Sequence, residues 1–188
     1  MKLDNEKSMC GIFGILTFKG NYKRSYFEEK IKRSIELLSN RGPDSNGYWI
    51  DQEQNIALAH TRLEIIGLGG KGHQPMTSNS GRFVITYNGE IYNYKELISK
   101  LSNTYKSNTS DTQILLDNFD EFGIEKTLNR IEGMFAMGIW DKRDKSLYLI
   151  RDRYGEKPLY YELTNEYIIF ASEIDVITRN IKKSREIN

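Results

Sequence analysis

Apolar positions along this chain follow two rhythms. In SYFEEKIKRSIELLSN, residues 25–40, Phe27, Ile31, Ile35 and Leu38 recur at steps of three and four, which stacks side chains on one face of an α-helix. Ser25 with Glu28 predicts a capping box at its start, and NRGPD at 40–44 breaks it. TSDTQILLDNFDEFG, residues 109–123, predicts a second helix, with Ser110 and Gln113 as its capping box and Gly123 as its stop. A third is expected to open at Asn93, with Glu96 at the reciprocal position. Elsewhere apolar residues come in runs of strand length: CGIFGILTF, NGYWID, NIALAHTRL, RFVITYNGEIYN, MFAMGIWD, SLYLIRD, PLYYELT and YIIFASE. The first holds two glycines where the backbone must pass close to something. RFVITYNGEIYN is expected to run into a tight Asn-Gly corner.

Several strands are apolar on both alternations, so both sheet faces should be covered. Strands come first, helices sit between, and strands return. That order predicts an α+β fold, a four-layer αββα sandwich of two mainly antiparallel sheets with helices outside. Residues 1–9 show no period and mixed charge, and read as a flexible prefix.

Composition narrows the classes. The chain has 188 residues, enough for one domain with a sizeable core. Lys plus Arg is 27 against 26 for Asp plus Glu, which leaves no basic footprint for nucleic acid. One cysteine cannot make an internal disulfide, so a cytoplasmic setting is expected. No apolar run approaches the ~20 residues that span a bilayer, so no membrane partner is expected. Two histidines and one cysteine are too few, and wrongly spaced, for a structural zinc site.

The lone cysteine carries the candidate chemistry. Cys10 heads the first core strand, just after Met9. An isolated cysteine is most often a buried core thiol. If the working chain began at Cys10, however, its own α-amine would lie within reach of the thiol. That amine titrates near ~7.7–8.0 and can act as a base, which makes nucleophile and base one residue. Acyl transfer also needs oxyanion donors, and Asn88 offers a side-chain amide beside the unshielded N–H of Gly89. The plain alternative for Asn-Gly is a hairpin turn. Arg62, at a strand end before a glycine-rich loop, can grip a carboxylate, or be a solvated surface charge. Asp111, in a first helical turn, can hold an ammonium, or simply face the helix dipole. Arg41 is expected to pin its loop, and His60 to be a satisfied strand histidine. The loop GLGGKGHQPM lacks the G-x-x-x-x-G-K-[ST] pattern of a phosphate cradle.

In order, MCGIFGI, RGPD, LAHTRL, HQPM, YNGEIYN, SDTQILL, GMFAMGIWD, LIRDRYGEKPLYY and FASE resemble the glutaminase domain of class II glutamine amidotransferases. Among these the chain is most similar to the N-terminal domain of glutamine-hydrolysing asparagine synthetases, from residue 10 to about 177. The resemblance implies an N-terminal nucleophile hydrolase with an αββα sandwich. It implies Cys10 as nucleophile, Asn88 and Gly89 as the oxyanion hole, and Arg62 on the glutamine α-carboxylate. It also implies Asp111 on the α-amino group, with Glu90 beside that amine. It implies no cofactor for this domain. ATP and Mg²⁺ are expected on an ATP-pyrophosphatase synthetase domain or subunit, and a homodimer is expected of the full-length enzyme. Aspartate is the expected acceptor of the ammonia.

Two departures stand out. Asn40 occupies the place of the family's usual His before RGPD. Residues 1–9 tie up the Cys10 amine in a peptide bond, so activity is expected only once they are removed. The expected organisation is a prefix at 1–9, an amidotransferase domain at 10–178, and at 179–188 the start of a linker to a synthetase domain, whose S-G-G-x-D-S loop is not found here. Two other readings compete: a non-catalytic binding module with a blocked Cys10, and a Cys-His hydrolase pairing Cys10 with His60 or His73.

Overall fold

The structure is a computed structural model that describes residues 9–63, 72–102 and 110–181. The flexible prefix expected at 1–9 falls almost wholly outside the described residues, as does the first half of the glycine-rich loop, residues 67–71.

Two antiparallel sheets form the centre. The first has strand order β2-β3-β1-β9-β8, from β1 (Gly11–Thr17), β2 (Ser45–Asp51), β3 (Ile56–Arg62), β8 (Tyr160–Leu163) and β9 (Tyr167–Ala171). The second has order β4-β5-β6-β7, from β4 (Met76–Thr77), β5 (Phe83–Ile91), β6 (Gly133–Asp141) and β7 (Ser146–Arg151). Helix α1 (Arg24–Leu38) and helix α5 (Ile174–Asn180) cover the first sheet, burying Phe27, Ile31, Leu38, Val176 and Ile177 against Phe13, Ile15 and Ile169. Helices α2 (Tyr94–Lys100) and α3 (Asp111–Phe122) cover the second, with Leu97, Ile114, Leu115 and Phe119 against Phe83, Ile85, Tyr87 and Met137. Between the sheets lie Ile12, Ile56, Leu58, Val84, Trp140 and Phe170. The four-layer αββα sandwich is the observed architecture.

Period-two alternation explains why β1 has no polar face: Ile12 points between the sheets and Phe13 toward the helices. Phe170 drives its ring between the two sheets. A Cβ on Gly14 or on Gly138 would collide with that ring, so both positions need glycine.

Local expectations fail where a side chain finds a better partner. The N-cap of α1 is Lys23, not Ser25, and Glu28 pairs with Arg24 at 2.9 Å. Asn93 does cap α2, but its side chain ties the start of β6, donating to the Arg130 carbonyl and accepting from Glu132 N–H. Glu96 pairs with Lys100 instead. Ser110 accepts from Gln113 N–H at 3.3 Å, whereas the Gln113 side chain turns to Asp117. There is no corner at Asn88–Gly89: β5 continues to Ile91 because β6 pairs with it throughout. Strand β4, helix α4 (Ile124–Leu128) and helix α5 have no forecast. Helix α5 also crosses the boundary expected at 178, since Asn180 is buried and donates to Ser34 Oγ.

Candidate active site

Two cross-sheet hydrogen bonds set β5 over β3. Thr86 Oγ1 donates to the Ala59 carbonyl at 2.9 Å, and His60 Nε2 to the Tyr87 carbonyl at 3.1 Å. Because Gly11 pairs with Thr61, Cys10 lies just beyond, level with Arg62. Asn88 and Gly89, which follow Tyr87, therefore reach the same end of the sandwich as Cys10 and Arg62.

Cys10 is held from several sides. Its carbonyl accepts from Arg41 Nε at 3.2 Å, and Arg41 Nη1 reaches Glu173 Oε1 at 3.4 Å. Two residues on, Ile12 N–H donates to Ser172 Oγ at 3.0 Å. Gly11 must be glycine, because a Cβ there would run into Thr61 Oγ1 and the Leu38 side chain. Burial pushes the Cys10 thiol up. A hydrogen bond with the Leu63 backbone and the charges of Arg62, Arg41 and Lys157 oppose that rise without cancelling it. The thiol is thus protonated at neutral pH and needs a base to become a nucleophile.

Neither histidine is that base. Burial drives His60 down to about 4, and its Nε2 is committed to the Tyr87 carbonyl, which can only accept. His73 packs beside Gly47, where a Cβ would lie 2.7 Å from its Nε2. No hydrogen bond joins either ring to Cys10 among the described residues. The Cys-His pairing is therefore not made.

Asn88 is 3% exposed, and its Nδ2 is buried with no hydrogen-bond partner among the described residues. An unpaired buried amide donor costs about 1–3 kcal/mol, which makes Asn88 Nδ2 a candidate donor to a bound acceptor. The Gly89 N–H is the second candidate donor. Its cross-strand partner Phe135 spends its N–H and its carbonyl on Asp152, at 3.2 and 2.8 Å. Both point away from β5, so the pair exchanges no ladder bond and the Gly89 N–H faces the other edge. Strand β4 covers that edge only opposite Val84 and Ile85, and Gln74 Oε1 covers it at Tyr87 N–H, at 2.7 Å. The glycine itself is required by β6, since a Cβ would collide with the Met134 carbonyl oxygen and the Phe135 backbone.

Arg62 ends β3, and its guanidinium packs across Gly72, where a Cβ would be 3.0 Å from Nη2. Asp111 opens α3. Its Oδ1 accepts from Thr112 N–H at 2.8 Å and its Oδ2 from the Tyr87 hydroxyl at 3.0 Å. Burial raises the Tyr87 hydroxyl well above the ordinary tyrosine range, and the Asp111 and Glu90 carboxylates raise it further. Glu90 therefore lies near that hydroxyl, and it is exposed. The fold brings Cys10, Asn88, Gly89, Glu90, Arg62 and Asp111 to one end of the sandwich.

Two residues at this end carried no chemistry in the sequence. Lys157 is only 8% exposed, and its charge acts on Cys10. Its loop wraps around Asp152, which accepts from the N–H groups of Tyr154, Glu156 and Lys157 at 3.0, 3.0 and 3.1 Å. Burial alone would raise the Asp152 carboxyl, but these donors and Phe135 N–H hold it below the usual range. The second is Tyr87. An aromatic in an apolar strand signals core, and only the fold shows where its hydroxyl lands.

The chain matches the glutamine amidotransferase domain family over residues 9–188. It is 37% identical over 180 residues to asparagine synthetase [glutamine-hydrolyzing] 2 of Bacillus subtilis, covering 96% of this chain and 24% of that protein. It is 40% identical over 167 residues to asparagine synthetase [glutamine-hydrolyzing] 1 of the same organism, covering 88% and 26%. The chain thus spans about a quarter of the length of these relatives. Among solved structures, the B. subtilis glutamine phosphoribosylpyrophosphate amidotransferase, complexed with ADP and GMP, superposes with a TM-score of 0.71 at 18% identity. The match covers 91% of this chain and 43% of that one, and it shows a shared fold.

Proposed function

The chain belongs to the glutamine amidotransferase domain family, and from that premise we propose that it hydrolyses glutamine to glutamate and ammonia. The observation that carries the reading is the buried, unpartnered Asn88 amide beside the edge-facing Gly89 N–H, at the Cys10 end of the sandwich.

In this reading Arg62 takes the α-carboxylate of glutamine and Asp111 its α-ammonium, with Glu90 beside that ammonium. The amide carbon is then presented to Cys10. The free α-amine of Cys10 takes the thiol proton as sulfur bonds to that carbon. Asn88 Nδ2 and Gly89 N–H donate to the oxygen as it becomes an oxyanion. The carbon–nitrogen bond breaks, and ammonia leaves with the proton returned by the α-ammonium of Cys10. Water, deprotonated by the same amine, attacks the thioester carbon, the carbon–sulfur bond breaks, glutamate leaves, and the Cys10 sulfur takes back the proton from the amine. The raised thiol is what makes the amine necessary, because without a base the nucleophile stays protonated. The domain itself needs no cofactor for these steps.

The ammonia acceptor belongs to the wider proposal. The relatives are named as asparagine synthetases, which supports aspartate as acceptor and a synthetase part that uses ATP and Mg²⁺. A second reading, a non-catalytic glutamine-binding module, draws on the same thiol: with residues 1–9 attached, Cys10 is raised and has no amine. The test is a glutamate-release assay on a chain beginning at Cys10, with Cys10→Ala as control. Turnover that depends on Cys10 supports the hydrolase. Glutamine binding without turnover favours the module.

A further inference from the structure

Tyr87 is held at three points in β5. Its N–H donates to Gln74 Oε1, its carbonyl accepts from His60 Nε2, and its hydroxyl donates to Asp111 Oδ2. Its ring lies in the apolar cluster under α3 with Ile85, Met137, Ile114 and Leu115. Packing there needs an aromatic body and no hydroxyl. With the hydroxyl, the side chain spans from the core to the carboxylate that opens α3, so the sheet fixes the direction in which that carboxylate faces.

Asp111 already has what a helix N-terminus asks of it. Thr112 N–H occupies Oδ1, and the helix dipole favours the charge. A carboxylate offers about four acceptor sites, so the two bonds from Thr112 and Tyr87 leave room for a further donor. We propose that Tyr87 is a positioning residue for substrate: its hydroxyl fixes the Asp111 carboxylate so that the remaining lone pairs meet the α-ammonium of the amino acid. Tyr87 thereby helps the site choose an α-amino acid over a simple carboxylic amide. This rests on the glutaminase reading, in which Asp111 receives that ammonium.

The test is Tyr87→Phe, which removes one oxygen and keeps the ring, in a chain beginning at Cys10. KM for glutamine and the inhibition constant for L-glutamate should both rise about three- to tenfold, the range of one ordinary hydrogen bond, since Tyr87 acts on the ammonium only through Asp111. The kcat should stay within about twofold. Inhibition by glutarate, which lacks the α-ammonium, should not change. In an Asp111→Ala background the same substitution should cost nothing further. Unchanged KM and L-glutamate inhibition would overturn the proposal. Equal weakening of glutarate would overturn it too, because it would mean general loosening of the site. If the unsubstituted chain turns over glutamine and Tyr87→Phe behaves like it, only the positioning role falls. If the unsubstituted chain does not hydrolyse glutamine, the functional reading falls and takes this one with it.

Discussion

Asn88 and His60 show how burial separates a working polar group from a structural one. Both are nearly inaccessible, at 3% and 1%. His60 has spent its hydrogen on the Tyr87 carbonyl, and Asn88 Nδ2 has no partner among the described residues. Asn88→Ala should lower kcat by about 10²–10³ with little change in KM, the usual cost of one oxyanion donor. Steady-state kinetics would show it, and a loss confined to KM would assign Asn88 to ground-state binding instead. His60 should report on stability. Its ring titrates near ~6.5 when unfolded and at about 4 when folded. The unfolded chain therefore binds the proton first as pH falls, and stability present above ~6.5 is lost toward about 4. The loss should reach about 3 kcal/mol. Urea unfolding at pH 7 and pH 4.5 measures it, and His60→Gln should show a shallower fall. Cys10, Arg62 and Asp111 were legible as candidates because each stood at the end of a periodic segment. Lys157 and Tyr87 were not, because a lysine in a loop and a tyrosine in a strand look alike in sequence whether or not they meet the site.

Elements were more legible than their ends. The expected strands and the three expected helices are all present, the strands and α1 because apolar spacing reports which face is buried, and α2 and α3 because their starts were marked by cap residues. Caps fared worse: Glu28 and Glu96 each found a basic side chain one helical turn away, and Asn93 was claimed by the start of β6. Strand β4 is two residues long and has no period to read, and helices α4 and α5 are too short to declare one. The glycines were legible as places of close approach, though not what approaches. Gly14→Ala should cost about 1–3 kcal/mol by overpacking against Phe170. Thermal or urea unfolding would measure it. Trimming the ring in a Gly14→Ala/Phe170→Leu double variant should recover part of the loss relative to additivity. Fully additive losses would mean that the two do not share that space.

At the scale of the whole molecule, sheet register places a thiol, two donors and a guanidinium at one end of the sandwich, and the start of α3, tied to Tyr87, adds a carboxylate. No single segment contains that arrangement, which is why it had to be inferred from several weak signals in order. The 188 residues match only about a quarter of the synthetases they resemble and contain no S-G-G-x-D-S loop. Incubated with glutamine, aspartate, ATP and Mg²⁺, the chain trimmed to begin at Cys10 should release glutamate and form neither asparagine nor pyrophosphate. Asparagine in that mixture would place synthetase chemistry within these residues. The central claim is that Cys10 works with its own α-amine, and it is tested by comparing two samples whose first residue is checked by N-terminal sequencing. One begins at Cys10, and the other keeps residue 9 joined to it. Glutamate release should be confined to the first sample, with an acid limb in kcat/KM near the α-amine range of ~7.7–8.0. Equal turnover by both samples would contradict the account.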